Sequence, residues 1–516
     1  MPSDRSKIAY KNSISHAKYP ANPMGIIQQQ TIKGTFYSYL GVAIGAITVY
    51  YFQPQAISEE KVGLITLLNN FSLLFAQFAI LGFNGTGRYF PYFRNNKKNH
   101  HGYLALACLV SLAGFVLFTI LAYLFKDQLI GAKPQKNNLF YTYFWYLVPL
   151  TFFTLFFNVF DLYARMLYDT ISGRVLREFT KRVLILLALV LIFFKRINFQ
   201  AFMIFWLAAN IIPTFLMMRK LIENGNFSLK TDFAFINPDI RRKLISICFF
   251  AILTGSAPII ISSLDTYMVN EKFGLAKTGI YGIAAYFGTV ITLPARSLYS
   301  IAYTIISESW KNNDLQNIRN IYRKSCINQL IAALFIFLLV WVNVDNIFKV
   351  LPPAYAAGRY VIFFIGLGYV IDSATGVNGV ILTSSRHFKY DSFFNLGLIG
   401  ITIGLNLLFI PKYGITGAAI AAAATLLIFN TFRYIFILIV YKMQPFTIKS
   451  LYAILLAVLG YFICEKFIPT QPNFVLDTLI RASFITVFFC LSVYFLKLSE
   501  DINLFIQGYL FKFSNK

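Results

Sequence analysis

Long apolar runs separated by short polar intervals dominate the sequence. A helix that crosses the ~30 Å hydrocarbon core of a bilayer needs about 20 mostly apolar residues. Runs of this kind fall at 34–52, 62–83, 102–125, 138–160, 180–194, 199–217, 244–264, 278–295, 325–344, 360–382, 393–410, 416–440, 450–468 and 477–497. They are continuous rather than alternating, which predicts helices and not barrel strands. The intervals hold turn residues such as Gln53-Pro54, Pro352-Pro353 and Pro469-Thr470-Gln471-Pro472. The pattern predicts an all-α polytopic membrane protein with fourteen transmembrane helices.

Composition narrows the class. Of 516 residues, 57% are hydrophobic and 13% are charged, against about 25% charged in a soluble domain. Disorder, a disulfide scaffold and a cytosolic enzyme are excluded. The net charge of +25 is explained by where Lys and Arg fall. With a cytoplasmic N-terminus, and with Lys181, Arg182 and Lys466 at run ends counted with the adjoining loops, 32 basic residues fall to cytoplasmic tails and loops and 12 to outer loops, leaving Arg433 and Arg481 inside runs. This positive-inside bias predicts two cytoplasmic termini and needs no nucleic acid. The polar segment 1–33 reads as a cytoplasmic tail, not a signal peptide. The five cysteines lie in or beside apolar runs without a CxxC pair, so neither a disulfide framework nor a metal site is indicated.

The polar connection 218–243 divides the chain into 34–217 and 244–440, followed by a helix pair at 450–497 and a second tail, 498–516. A short repeat links the halves. Lys61-Val62-Gly63-Leu64-Ile65 and Lys277-Thr278-Gly279-Ile280-Tyr281 lie 216 residues apart. At nearly the same offset, Asn158 to Arg174 falls over Ala374 to Asp391. Two pseudo-symmetric six-helix lobes are predicted, a parallel repeat found among transporters. The polar-aromatic stretch Ile301 to Trp310 reads as a helical extension or an interfacial helix.

Several stretches carry a family resemblance: Leu81-Gly82-Phe83-Asn84-Gly85 leading to Arg88-Tyr89-Phe90-Pro91-Tyr92-Phe93; Leu264-Asp265-Thr266-Tyr267-Met268 followed by Thr278-Gly279-Ile280-Tyr281; and Leu351-Pro352-Pro353-Ala354-Tyr355 leading to Gly376-Val377-Asn378-Gly379. With the six, six and two arrangement, the chain resembles the polysaccharide transporter branch of the multidrug/oligosaccharidyl-lipid/polysaccharide (MOP) exporter superfamily. The resemblance spans about residues 26–500. It implies a MATE-like fold and a Wzx-type (O-antigen) flippase of the bacterial inner membrane. Such proteins move undecaprenyl-diphosphate-linked oligosaccharides between leaflets and work beside polysaccharide polymerase machinery. A cation-coupled multidrug exporter of the same superfamily is the alternative. A membrane glycosyltransferase using Glu59-Glu60 is a further one. No run contains a histidine, and no P-loop or metal-ligand cluster appears. Energy must then come from a proton, sodium or substrate gradient, with no cofactor.

Ionisable groups within spans are costly and therefore candidates for function. Asp372 lies 13 residues after Arg359 and 14 before Arg386, about 20 Å from either end. It binds a coupling ion, holds a cation, or makes a structural hydrogen bond to Asn378. Arg433 sits about 13 Å inside its run and suits a phosphate better than a lysine would; its other reading is snorkelling. Asp265 ends the seventh run. Arg88 and Arg296 occupy matched cytoplasmic ends in the two halves, as diphosphate-attracting groups at a cavity mouth or as plain anchors. Arg481, a few residues into its run, reads as snorkelling outward. Amides recur at Asn69, Asn70, Gln77, Asn158, Asn210, Asn328, Asn378 and Asn406. Pro149, Pro213, Pro258 and Pro294 permit kinks.

Overall fold

The computed structural model describes Tyr37, residues 40–130 and 138–504, and Gln507. The tail at 1–33 lies outside the described residues. Every regular element among them is helical. After the helical stretch 40–56 come α1 (Glu59–Ala79), α2 (Tyr103–Leu124), α3 (Leu147–Met166), α4 (Lys181–Phe193) and α5 (Phe199–Glu223). Then follow α6 (Pro238–Phe273), α7 (Leu275–Thr289), α8 (Leu293–Lys311), α9 (Leu315–Val342) and α10 (Arg359–Ala374). The last three are α11 (Phe388–Tyr441), α12 (Ile448–Phe467) and α13 (Phe474–Phe495). Among the described residues, ten helices are long and apolar enough to cross a membrane, and the chain is a multi-pass membrane protein.

Helix α11 has 54 residues and would be about 81 Å long if straight, far beyond a bilayer. It is not straight. Gly414 takes φ 63 and ψ −140 in its middle, a backbone conformation open to glycine and strained for other residues. The two halves fold back on each other. Near the open end, His387 Nδ1 and the Tyr441 hydroxyl are 2.7 Å apart, and Phe394 packs on Phe436.

Helices α12 and α13 pack on each other and on α9. Leu455, Val458, Leu459 and Phe462 stay exposed on α12, as expected where lipid rather than water is the solvent. Residues 224–237 connect α5 to α6. Asn237 caps α6 by accepting from the Ile240 amide at 2.8 Å, ahead of Pro238. The connection is fastened to the N-terminal half. Asp232 meets His101 at 2.9 Å, and the His101 ring stacks on Phe235 at 3.9 Å.

The buried apolar residues are arranged differently at the two ends. At the end bearing the 224–237 linker they form separate clusters. One contains Phe83, Phe90, Tyr103, Phe160 and Leu221 of the N-terminal half together with Leu244 from the start of α6; the other contains Ala302, Ile318, Tyr322, Ile381 and Ile437. At the opposite end one cluster takes in both halves, joining Val62, Leu64 and Trp206 to Leu275, Ile280 and Val361. The closest approach there is reciprocal. A Cβ on Gly63 would lie 3.1 Å from the Gly279 nitrogen, and one on Gly279 would lie 2.9 Å from the Gly63 nitrogen. The repeat found in the sequence thus meets itself, with α1 and α7 crossing backbone against backbone.

Candidate functional site

Three polar clusters lie among the apolar helices of the C-terminal half. The first is built on Asp265, on α6 one turn past Ser262 and 4% exposed. Asn406 Nδ2 donates to Asp265 Oδ1 at 2.6 Å, and the Tyr281 hydroxyl faces the same carboxylate. Asn406 Oδ1 has no hydrogen-bond partner among the described residues. The adjoining Thr266 hydroxyl accepts from Asn70 Nδ2 at 2.9 Å, so this cluster is tied across to α1. Of the neighbouring pair Asn69 and Asn70, about 100° apart around the helix, Asn70 makes the crossing.

The second cluster has Asn430 as its hub. Its Nδ2 donates to Asp372 Oδ1 at 2.9 Å. Its Oδ1 accepts from Asn378 Nδ2 and from the Thr375 hydroxyl, each at 2.9 Å. Asp372 and Asn378 are therefore linked through an amide on α11 rather than directly. Gly376, at φ 57, turns the chain between α10 and the short helix Asn378–Ser384, which brings these groups together.

The third cluster adjoins the second, because Asn430 and Arg433 are three residues apart on one helix face. Arg433 Nε donates to Asp391 Oδ1 at 2.8 Å, Nη2 lies 2.8 Å from the same oxygen, and the guanidinium covers the Phe429 ring at 3.9 Å. Asn395 Nδ2 donates to Asp391 Oδ2 at 3.2 Å. The side chains of Arg433 and Asp391 are 15% and 3% exposed. A Cβ on Gly379 would be 2.9 Å from Arg433 Nη1, so the missing side chain there makes room for the guanidinium. The arginine is held by a carboxylate and presents its remaining N–H groups beside Gly379.

The other sequence candidates are placed apart. Arg88 is exposed in the turn Phe83–Tyr89 that follows α1, where it makes no hydrogen bond or ion pair with the described residues. Arg296 is on α8, and its side chain lies outside the described residues. Arg481 does not reach outward. It is 5% exposed and is bound by Asp477 at 2.9 Å and Glu465 at 3.3 Å. A carboxylate one helical turn earlier neutralises it in place. Among the described residues no group of three His, Cys, Asp or Glu could hold a metal ion.

Asp391 and Asn430, with their partners Asn395 and Thr375, escaped the sequence reading. Asp391 falls in the polar interval before the run at 393–410, where a carboxylate looks like a loop residue. Its one visible signal is Asn395, one turn on. Asn430 is a single amide amid apolar neighbours, and nothing local indicates its three partners.

The chain is similar to the solved structure of the lipid II flippase MurJ in an inward closed conformation. The TM-score is 0.64 at 15% identity, covering 91% of this chain and 99% of that one. It is also similar to an inward-facing multidrug resistance MATE family transporter of the MOP superfamily, with a TM-score of 0.59 at 14% identity, covering 79% and 93%. A Vibrio cholerae MATE transporter, VcmN, in an aspartate-to-asparagine mutant, gives 0.55 at 14% identity, covering 81% and 97%. No protein-family model matches the chain, and no curated protein sequence does. At these identities the likeness establishes the fold, which is that of MurJ and the MATE transporters.

Proposed function

We propose that this protein is a flippase that carries an undecaprenyl-diphosphate-linked oligosaccharide across the bacterial inner membrane by alternating access. The observation that carries the reading is the divided core. The two halves share one apolar cluster at one end, while at the linker end each has its own, bridged by the start of α6, where Leu244 enters the N-terminal cluster and Gly82 meets the Cys248 carbonyl. Two bodies joined at one end and separable at the other can rock about the junction. The MurJ-like fold agrees with a lipid-borne substrate. In this reading the linker end and both termini are cytoplasmic. The ten apolar helices, with the α11 hairpin counted twice and the helical stretches 40–56, 172–193 and 238–273 added, give fourteen crossings. The lobes are 34–217 and 244–440, joined by 218–243, with 450–497 appended.

The diphosphate is attracted by Arg433 and at least one of Arg88 and Arg296, Asp372 links the cycle to a proton, a sodium ion or a cavity cation, and Asp265 is a further candidate for the ion. The free Asn406 oxygen beside Asp265 supports a cation-binding role at that carboxylate. The protein transports rather than catalyses, without a cofactor, and hands its cargo to polysaccharide polymerase machinery. The likeness to MATE transporters favours a second reading, a cation-coupled multidrug exporter. The two separate in cells lacking the protein. A flippase leaves a diphosphate-linked glycan lipid accumulated in the inner leaflet. An exporter leaves lipid intermediates unchanged and raises sensitivity to cationic drugs.

A further inference from the structure

Positive charge gathers in the N-terminal half on the turns leading into α4. Residues 172–182 hold Arg174, Arg177, Lys181 and Arg182 against one carboxylate, Glu178, and the neighbouring α3 contributes Asp161 and Arg165. With Lys220 and Asp169, both bonded to Ser172, six cations stand against three carboxylates. Arg177 Nη2 donates to Asp161 Oδ2 at 3.1 Å and to Asn158 Oδ1 at 3.0 Å, and its guanidinium lies over Phe157. Arg165 shares Asp161 at 3.4 Å. Arg182 donates from Nη2 to Glu178 at 2.7 Å and from Nη1 to the Gly41 carbonyl at 2.7 Å. Lys181 is half-buried and, among the described residues, makes no hydrogen bond or ion pair.

The backbone here is unusual. Val175–Thr180 is a π-helical turn, with bonds from residue i to i+5. Such turns are frequent at functional sites. This winding sets Arg177 and Arg182, five residues apart, on successive turns with Lys181 between them. Lys181 lies near the middle of the helical stretch 172–193, the fifth crossing of the proposed topology. The cluster also reaches the seam between the halves. A Cβ on Gly45 would be 2.6 Å from Arg182 Nη1 and 2.8 Å from the hydroxyl of Tyr286, which belongs to α7.

An unpaired ammonium at this depth is costly, and two guanidinia beside it add to the cost. An anion with several oxygens relieves it. We propose that Lys181, with Arg177 and Arg182 positioned on either side, forms a binding site for a phosphate-bearing group of the diphosphate class. The proposal rests on the flippase reading and adds to it a cargo-binding surface in the N-terminal half. The two arginines are fixed by Asp161 and Glu178, which leaves the lysine free to meet phosphate oxygens through charge-assisted hydrogen bonds.

The test uses the full chain in phosphatidylcholine nanodiscs with inorganic pyrophosphate, read by calorimetry. Saturable binding is expected, weakened at least about tenfold by Lys181→Met, as for the loss of one charge-assisted hydrogen bond, and by less than about threefold in Lys181→Arg, which keeps the charge. Pyrophosphate should also protect Lys181 of the unmutated protein from an amine-reactive label, a readout independent of variant folding. Absence of binding or of protection overturns the site. With phosphatidylglycerol in the nanodisc, the affinity should persist. Its abolition would make the ligand a bilayer headgroup and overturn the diphosphate assignment. A chain that flips glycan lipid without dependence on Lys181 refutes the site alone. One that binds pyrophosphate at Lys181 but moves no glycan lipid refutes the flippase reading alone.

Discussion

Substituting Gly63 with alanine should weaken the junction between the halves. The added Cβ would lie 2.8 Å from the Leu275 carbonyl carbon and 3.1 Å from the Gly279 nitrogen, with the Leu275 oxygen nearer still. Ordinary contact begins at 3.4 Å. The obstacles are backbone atoms, so no side chain can swing aside, and α1 and α7 must part by at least the 0.6 Å between 2.8 and 3.4 Å. Overpacking of this kind costs about 1–3 kcal/mol. Charged only to the state in which the helices cross, that cost shifts the balance towards the parted state by roughly 5–150-fold. The assay is a cysteine-free protein carrying Val62→Cys, a position 0% exposed beside the crossing, treated with a membrane-impermeant maleimide. Labelling should be slow with Gly63 and many times faster with Gly63→Ala or Gly279→Ala. The double variant should add little, because both substitutions act on one crossing. If both single variants label as slowly as their parent, the crossing is not the junction.

Three further outcomes are expected. Asp391→Asn leaves the Arg433 guanidinium without its counter-charge, and breaking so buried a pair should cost about 3–5 kcal/mol in thermal melts of the purified protein; combining it with Arg433→Met should restore part of the loss. Gly173→Ala would put a Cβ 2.5 Å from the Asp161 carboxyl carbon and displace the anchor of Arg177, with a loss of about 1–3 kcal/mol that is less than additive with Asp161→Ala. In the turn before residue 172, burial alone would raise the Asp169 carboxyl, but its hydrogen bonds from Ser172 and the Lys220 ammonium outweigh that and hold it below the usual carboxylate range. A carboxylate depressed by folding contributes stability above its unfolded pKa and loses it as pH falls through the folded value. Asp169→Asn should therefore lower the melting temperature at pH 7, and the gap to the unmutated protein should close below about pH 4.

Hydrophobic patterning located most helices because lipid-facing and buried positions alike are apolar. It fails where charges are satisfied inside the bundle. The fifth apolar run starts at residue 180, yet the helix begins at Ser172, since Arg174, Arg177 and Glu178 lower the local hydropathy while Asp161 and Asn158 hold Arg177 in place. The same effect extends α6 from Pro238 to Phe273, well beyond the run at 244–264. The interval 411–415 separates two runs, but the helix continues on both sides and the reversal is confined to Gly414. The repeat around Gly63 and Gly279 was legible as a pattern; that the two copies touch requires the fold. Asp372 was visible from depth alone. Its partner Asn430, 58 residues away, was not, because long-range pairing leaves no periodicity.

The most direct test of the central claim is translocation in reconstituted vesicles. The purified chain would be placed in liposomes containing a fluorescent undecaprenyl-diphosphate-linked oligosaccharide, and a membrane-impermeant quencher would report the fraction in the outer leaflet with time. Protein-containing vesicles should exchange the glycan lipid between leaflets far faster than protein-free ones. Exchange at the protein-free rate, in vesicles that expel a cationic dye when a proton or sodium gradient is imposed, would contradict the flippase reading and assign the protein to drug export.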